Sequence, residues 1–157
     1  MKELNLPHTA LRLKEHDGII QVWDPLREKY VALTPEENVR QHFTAWMRER
    51  FSYPAHMMAN EHGITVNGTH KRCDTVVFGR DGKPLVVVEY KAPDVAVTQD
   101  VFEQVVRYNM VLHARYIIVS NGVNHYCCAM DYASGTYHFL PVIPDYPSIV
   151  APPPSEN

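Results

Sequence analysis

Excess charge of either sign is missing from this 157-residue chain. Lys and Arg number 15 and Asp and Glu 18, a formal net charge of −3 with histidine neutral. That balance excludes a nucleic-acid binder working by bulk charge alone, so any phosphate chemistry has to rest on a small local site. Long apolar runs are missing too. The longest, Leu85–Val88 and Tyr116–Val119, fall far short of the roughly 18 residues of a membrane span, and no membrane partner is expected. The opening Met1-Lys-Glu-Leu-Asn shows no apolar secretory core. Cysteine is scarce: Cys73, Cys127 and Cys128 are an odd set without a C-x-x-C spacing. A disulfide scaffold is excluded, and a reducing cytoplasm is the expected location. Neither a G-x-x-x-x-G-K-[ST] loop nor a G-x-G-x-x-G turn is encoded, so no nucleotide motor or dinucleotide site is expected.

What is present fits one globular domain. Apolar residues make up 45% and charged residues 21%, near the globular average. Six of the 12 prolines fall within 141–157, so that segment is expected to be neither regular helix nor central strand. The expected organisation is a single domain over 1–140 and a Pro-rich tail over 141–157 that docks or frays. Ile19–Trp23 and Lys29–Leu33 read as strands around Asp24-Pro25. Thr34-Pro35-Glu36-Glu37 is a helix start: Thr34 suits the N-cap, Pro35 the first turn, and Glu37 a capping box. Val39, Phe43, Trp46 and Met47 carry that helix to about Arg50. Asn67-Gly68 joins strands His56–Val66 and Thr69–Phe78. Asp81-Gly82 then leads into Pro84–Ala92. Thr98 caps a second helix, about Gln99 to His113. Strands follow at Arg115–Ser120, Val123–Met130 and Thr136–Leu140. Helices interleaved with one mixed sheet give an α/β or α+β sandwich.

One constellation carries chemistry. If Asp81-Gly82 is a two-residue turn, Asp74 faces Glu89 and Arg72 faces Lys91 across the hairpin. All four then share one side of the sheet. Like charges directly opposite are destabilising, and the strands around them are apolar. Two readings stand. A divalent cation could take the two carboxylates, with the Tyr90 carbonyl as a further oxygen and Lys91 reaching the same space. Alternatively, the four charges form a plain salt-bridge network.

The helices add candidates. With Val101 at the centre of the second helix's buried face, Gln104 sits beside Tyr108 and Val111 near the core side. It either bonds a backbone group or enters the polar site on the sheet. On the first helix Glu36 falls on the Val39/Phe43/Trp46 face and Glu37 lies off it. Glu37 thus reads as a cap. Glu36 reads as a further inward carboxylate, or as a surface partner of Arg40 one turn on.

Other residues read as structural. His125-Tyr-Cys127 offers at most two local ligands where structural zinc takes four. Ser120 and Ser134 lack a nucleophile elbow. Cys73 alternates with the acidic face and reads as core. Trp23, Tyr30, Phe43 and Trp46 read as packing, since no dense basic patch accompanies them.

Asp74, then Glu89-Tyr-Lys91 ending an apolar strand, then Gln104-Val-Val-Arg-Tyr108 on a helix, resembles the P-D…(D/E)-x-K nuclease superfamily. The sequence is more closely similar to the N-terminal nuclease domain of type I restriction enzyme R subunits. Pro35-Glu-Glu-Asn-Val-Arg-Gln41, Lys71-Arg-Cys-Asp-Thr-Val-Val77, Asp81 through Pro93 and Gln104-Val-Val-Arg-Tyr-Asn109 carry that similarity, from about Trp23 to Tyr126. Cys73 stands where the motif has proline, and the ATP-driven motor of such subunits is not encoded in these residues.

The resemblance implies a restriction-endonuclease-like mixed central sheet flanked by helices and Mg²⁺-dependent hydrolysis of DNA. It implies Asp74 and Glu89 as ligands of Mg²⁺ (Mn²⁺ as substitute), with Glu36 a further candidate. Lys91 would assist the attacking water, and Gln104 would position Lys91 or a phosphate oxygen. Expected partners are DNA and a motor or specificity subunit. Two alternatives stand beside it: a catalytically inactive module of the same fold that binds a partner protein or nucleic acid, and a metal-dependent phosphoesterase acting on something smaller than DNA.

Overall fold

The computed structural model describes residues 3–150. Strands β1 (Leu13–His16), β2 (Ile19–Asp24) and β3 (Lys29–Ala32) form a small antiparallel sheet. Helix α1 (Pro35–Arg50) follows. Strands β4 (Met58–Val66), β5 (Thr69–Phe78) and β6 (Pro84–Tyr90) come next, then α2 (Gln99–Asn109) and a 3₁₀ turn over Met110–Leu112. Strands β7 (Tyr116–Ser120), β8 (His125–Asp131) and β9 (Thr136–Leu140) precede the short helix α3 (Tyr146–Val150). The larger sheet has the spatial order β4-β5-β6-β7-β8-β9, antiparallel except for the β6–β7 pair. A parallel pair needs a crossover, and α2 supplies it.

Each face of the sheet has its own cover. Val86, Val88 and Tyr90 of β6 share a core cluster with Val39, Phe43 and Met47 of α1. Val87, between them, packs instead with Val76, Leu112 and Ala114. Phe102, Val105 and Val106 of α2 cover Ile117 and Val119 of β7. Glu89 alternates with Val88 and Tyr90 and so falls on the side of Val87, away from the α1 core.

Several expectations need correcting. The sheet is not single, because β1–β3 pair only with one another. Strand β1 was not expected, although Asp17-Gly18, both at positive φ, is the two-residue turn that makes it. The β5–β6 connection is not a two-residue turn: the Gly79 amide bonds the Lys83 carbonyl, and a bulge lies at Val77/Phe78. The bulge absorbs the change, so Thr75 still faces Val88, and that register carried one step further sets Asp74 across from Glu89, beside the Tyr90 amide that Asp74 accepts.

The segment after Leu140 also departs from expectation. Pro147 sits in the first turn of α3, where proline is tolerated. Ile143, Tyr146 and Ile149 are buried in the α1-side core. Tyr53 Oη donates to the Pro144 carbonyl at 2.7 Å, and the Tyr146 amide to the Phe51 carbonyl at 2.9 Å. Residues 151–157 of the expected tail lie outside the described residues. No helix among the described residues is long and apolar enough to cross a membrane.

Candidate active site

Asp74 sits where the β4–β5 pairing lapses at a single position within two continuous strands. In β4, Asn60 pairs with Thr75 and His62 with Cys73, but Glu61, between them, adopts a left-handed φ of 52° and skips Asp74. The Asp74 main chain is then held by a side chain: Arg40 Nη1 donates to its carbonyl oxygen at 2.9 Å. Its carboxylate accepts the Tyr90 backbone amide at 2.9 Å. The acid is thus fixed from α1 on one side and from β6 on the other.

Electrostatics single out this pair. Burial, with Glu61 and Glu36 nearby, outweighs the Tyr90 amide and Arg40 and pushes the Asp74 carboxyl above its ordinary range. Burial and the facing Asp74 push Glu89 up to about 7, against a smaller opposing pull from Lys91. Every ion pair among the described residues lies elsewhere, so neither acid has a cation at contact distance. Arg72, expected to join them, pairs with Glu61 at 3.3 Å. The salt-bridge reading therefore loses its main member.

Glu89 and Lys91 line a cleft of about 260 Å³ together with Gln104, Tyr108 and Asn109 of α2. Gln104 is exposed, not core-facing, because the buried stripe of α2 centres on Phe102, Val105, Val106 and Asn109. That one-residue rotation turns Gln104 to the cleft mouth. Asn109 donates from Nδ2 to the Val105 carbonyl at 2.9 Å, while its buried Oδ1 has no hydrogen-bond partner. Lys91 lies just past β6, and its amide bonds the Ser120 carbonyl at 2.9 Å, prolonging the parallel pairing.

The two acids of α1 exchange their expected places. Glu36 is exposed and reaches the pair only through its field. Glu37 is buried. Thr34 Oγ1 accepts the Glu37 amide at 3.0 Å, as an N-cap does, but the Glu37 carboxylate does not close a capping box. Instead it accepts from Arg27 at 2.6 Å, Arg40 at 2.7 and 2.9 Å and Gln41 at 3.0 Å. Burial disfavours its charge, yet these donors prevail and hold the carboxyl below its usual range. Arg40, expected to pair with Glu36, bonds Glu37, Glu61 and the Asp74 carbonyl.

These bonds close a ring around Asp74. Arg27 links Glu37 to Asp24, which also accepts from Asn60 Nδ2 at 3.0 Å. Thr75 Oγ1 donates to Asn60 Oδ1 at 2.6 Å, and Tyr90 Oη donates to Thr75 Oγ1 at 2.9 Å. Tyr90 then returns through its amide to Asp74. Asp24, Glu37, Arg40, Asn60, Thr75 and Tyr90 are all buried.

What could occupy the pair follows from its donor set. Two carboxylates that repel each other suit a hard divalent cation. Among the described residues no third Asp, Glu, His or Cys stands at ligating distance. Such an ion would be completed by backbone carbonyl and water, as is ordinary for Mg²⁺. Burial and the two acids push the Cys73 thiol up to about 12, which leaves it protonated and unreactive.

Residues 35–144 match the family model described as type I restriction enzyme R protein N terminus. The chain belongs to this family. Among solved structures it is similar to a fragment assigned as an HsdR subunit of a type I restriction enzyme from Vibrio vulnificus YJ016. The TM-score is 0.52 with 24% sequence identity, over 75% of this chain and 24% of that one. That likeness establishes the restriction-endonuclease-like fold, and this chain spans about a quarter of the length of that relative. A search of curated protein sequences finds no match. Membership supports a nuclease-like, restriction-related role for this R-protein N-terminal domain.

Glu61, Asn60 and Thr75 escaped the sequence reading of this R-protein domain. Nothing in Asn60-Glu-His62 signals a left-handed residue inside a strand. Asn60 and Thr75 as polar positions on otherwise apolar strands were a visible signal, since buried polar groups require partners.

Proposed function

We propose that this domain is a Mg²⁺-dependent deoxyribonuclease that hydrolyses phosphodiester bonds. The observation that carries this reading is the half-buried Asp74–Glu89 pair, without an ion-pair partner among the described residues and with Lys91 and Gln104 in the adjoining cleft. Asp74 and Glu89 would hold the cation, and the exposed Glu36 adds negative potential to the site. When bound, Mg²⁺ polarises the phosphate and lowers the pKa of a bound water. Lys91 orients the attacking water and stabilises the charge that develops on the phosphate oxygens. Gln104, at the cleft mouth, steadies Lys91 or a non-bridging phosphate oxygen. DNA is the substrate by family relationship, delivered by a motor or specificity subunit, since a chain of net charge −3 holds polynucleotide weakly by itself.

The test is plasmid nicking with Mg²⁺ or Mn²⁺ and with a chelator, wild type against Asp74→Ala, Glu89→Ala and Lys91→Ala. Wild type nicks only with the cation, and each variant is silent. Undiminished nicking by all three variants would overturn the assignment.

A further inference from the structure

Beside the carboxylate pair lies a second concavity of about 450 Å³, lined by Arg27, Lys29, Asn60, Glu61 and Arg72. It abuts the proposed active site, because Glu61, on its wall, raises the carboxyls of both Asp74 and Glu89. Three of its five lining residues are cations, on a chain whose overall balance is −3.

These cations differ in how far they are committed. Arg27 is consumed by Asp24 and Glu37. From it an alternating row of charge runs through Glu37, Arg40 and Glu61 and ends at Arg72. Arg72 is the terminus of that row. Its side chain is 67% exposed, and only Nε engages a carboxylate, the shared Glu61 at 3.3 Å. The terminal amino groups of its guanidinium are left for a further acceptor. Lys29 at the start of β3 is exposed and forms no ion pair among the described residues. A guanidinium fork and a nearby ammonium match a phosphate bearing two non-bridging oxygens. The left-handed backbone of Glu61 is what brings its carboxylate between Arg40 and Arg72, and non-glycine residues keep that geometry where surrounding structure over-determines it.

We propose that the Lys29–Arg72 concavity is a phosphodiester-binding site that seats a backbone phosphate of the polynucleotide flanking the one cleaved at Asp74 and Glu89. The choice of polynucleotide rests on the nuclease reading. Arg72 grips the phosphate by its free amino groups, Lys29 adds a point charge, and Glu61 both aims Arg72 and limits the site's net charge.

The test is fluorescence-anisotropy titration of a labelled DNA duplex in chelator across a salt series, so that nothing is cleaved. Arg72→Gln and Lys29→Gln each weaken binding several-fold and flatten the log K against log salt slope by about 1, the loss of one phosphate contact. Arg72→Lys keeps most of the slope. Glu61→Gln acts in the opposite sense and tightens binding, because it removes the acid from the concavity. Lys83→Gln, at the β5–β6 loop, binds as wild type does. Circular dichroism confirms that each variant is folded. Wild-type affinity and slope in both Arg72→Gln and Lys29→Gln overturn the proposal, as does a wild type that binds no duplex. Cleavage is scored separately. Weakened binding by these variants in a protein that never nicks DNA would overturn the nuclease reading alone.

Discussion

Asp74 and Glu89 stand opposite each other one step beyond the Thr75–Val88 pair, two half-buried carboxylates with no cation in contact among the described residues. The pair is therefore a place where a proton or a divalent ion has to compensate charge. Without metal, Glu89 is expected to titrate near 7. Asp74→Asn removes the facing charge and moves that titration downward. Carboxyl-resolved NMR measures both. Cation binding tightens as pH rises through this range, because the ligand form is the deprotonated one.

The same shift has a consequence for stability. The folded chain holds a proton on Glu89 up to about 7, whereas the unfolded carboxyl titrates near 4.5. That contribution is fully present below about 4.5 and is lost as pH rises through about 7, by at most about 1.4 kcal/mol per pH unit. Glu89→Gln is expected to abolish this slope in urea unfolding of the metal-free protein. An unchanged slope would show that the proton resides elsewhere.

Ligation and chemistry are separable at this site. Asp74→Asn is expected to lose Mn²⁺ binding and nicking together. Lys91→Met is expected to keep Mn²⁺ binding, read by calorimetry, and to lower the nicking rate by about 10²-fold or more, the scale of removing one stabilising donor. Equal loss of metal by both variants would place Lys91 in the ion's support and not in the chemistry.

Much of this arrangement was legible in the sequence because it is local. Thr34-Pro35 starts α1, Asn67-Gly68 turns β4 into β5, and the Asp74–Glu89 facing depends only on one hairpin's register. The register survived a wrong turn type because the bulge at Val77/Phe78 corrected it. What was not legible depends on distant partners. Whether Glu36 or Glu37 turns inward is decided by Arg27, which lies before the helix, and by Arg40 within it. A helical wheel sees neither. Gln104 was placed one position off, because Phe102 rather than Val101 sits deepest against β7 and no periodicity count resolves one residue. The helix α3 was hidden by proline composition, and of the two outcomes left open for this segment, docking or fraying, the residues up to Val150 dock through Ile143, Tyr146 and Ile149.

The ring around Asp74 is expected to be structural as well as positioning. Arg40→Met leaves Glu37 with one fewer guanidinium, strips the Asp74 carbonyl of this donor and leaves Glu61 with Arg72 alone. Removing one member of a buried ionic network costs about 3–5 kcal/mol. Urea denaturation measures it. Adding Glu37→Leu to Arg40→Met is expected to recover part of the loss, since the stranded carboxylate goes with it. Strictly additive losses would mean that the two side chains do not act as a unit.

The last expectation concerns where the domain ends. A boundary at Leu140 would leave Tyr53, Met47 and the edge of the α1-side core without Ile143, Tyr146 and Ile149. It would also strip Tyr53 Oη of its acceptor on Pro144. Replacing one large buried apolar side chain by alanine costs about 2–5 kcal/mol, so losing three approaches the whole stability of a small domain. A chain stopped after Leu140 is expected to be largely unfolded by circular dichroism, while one stopped after Val150 keeps a cooperative transition. Ile149→Ala in the full chain gives the graded version, a loss of about 2–5 kcal/mol in urea. A cooperative, wild-type transition from the Leu140-terminated chain would show that the segment merely rests on the core.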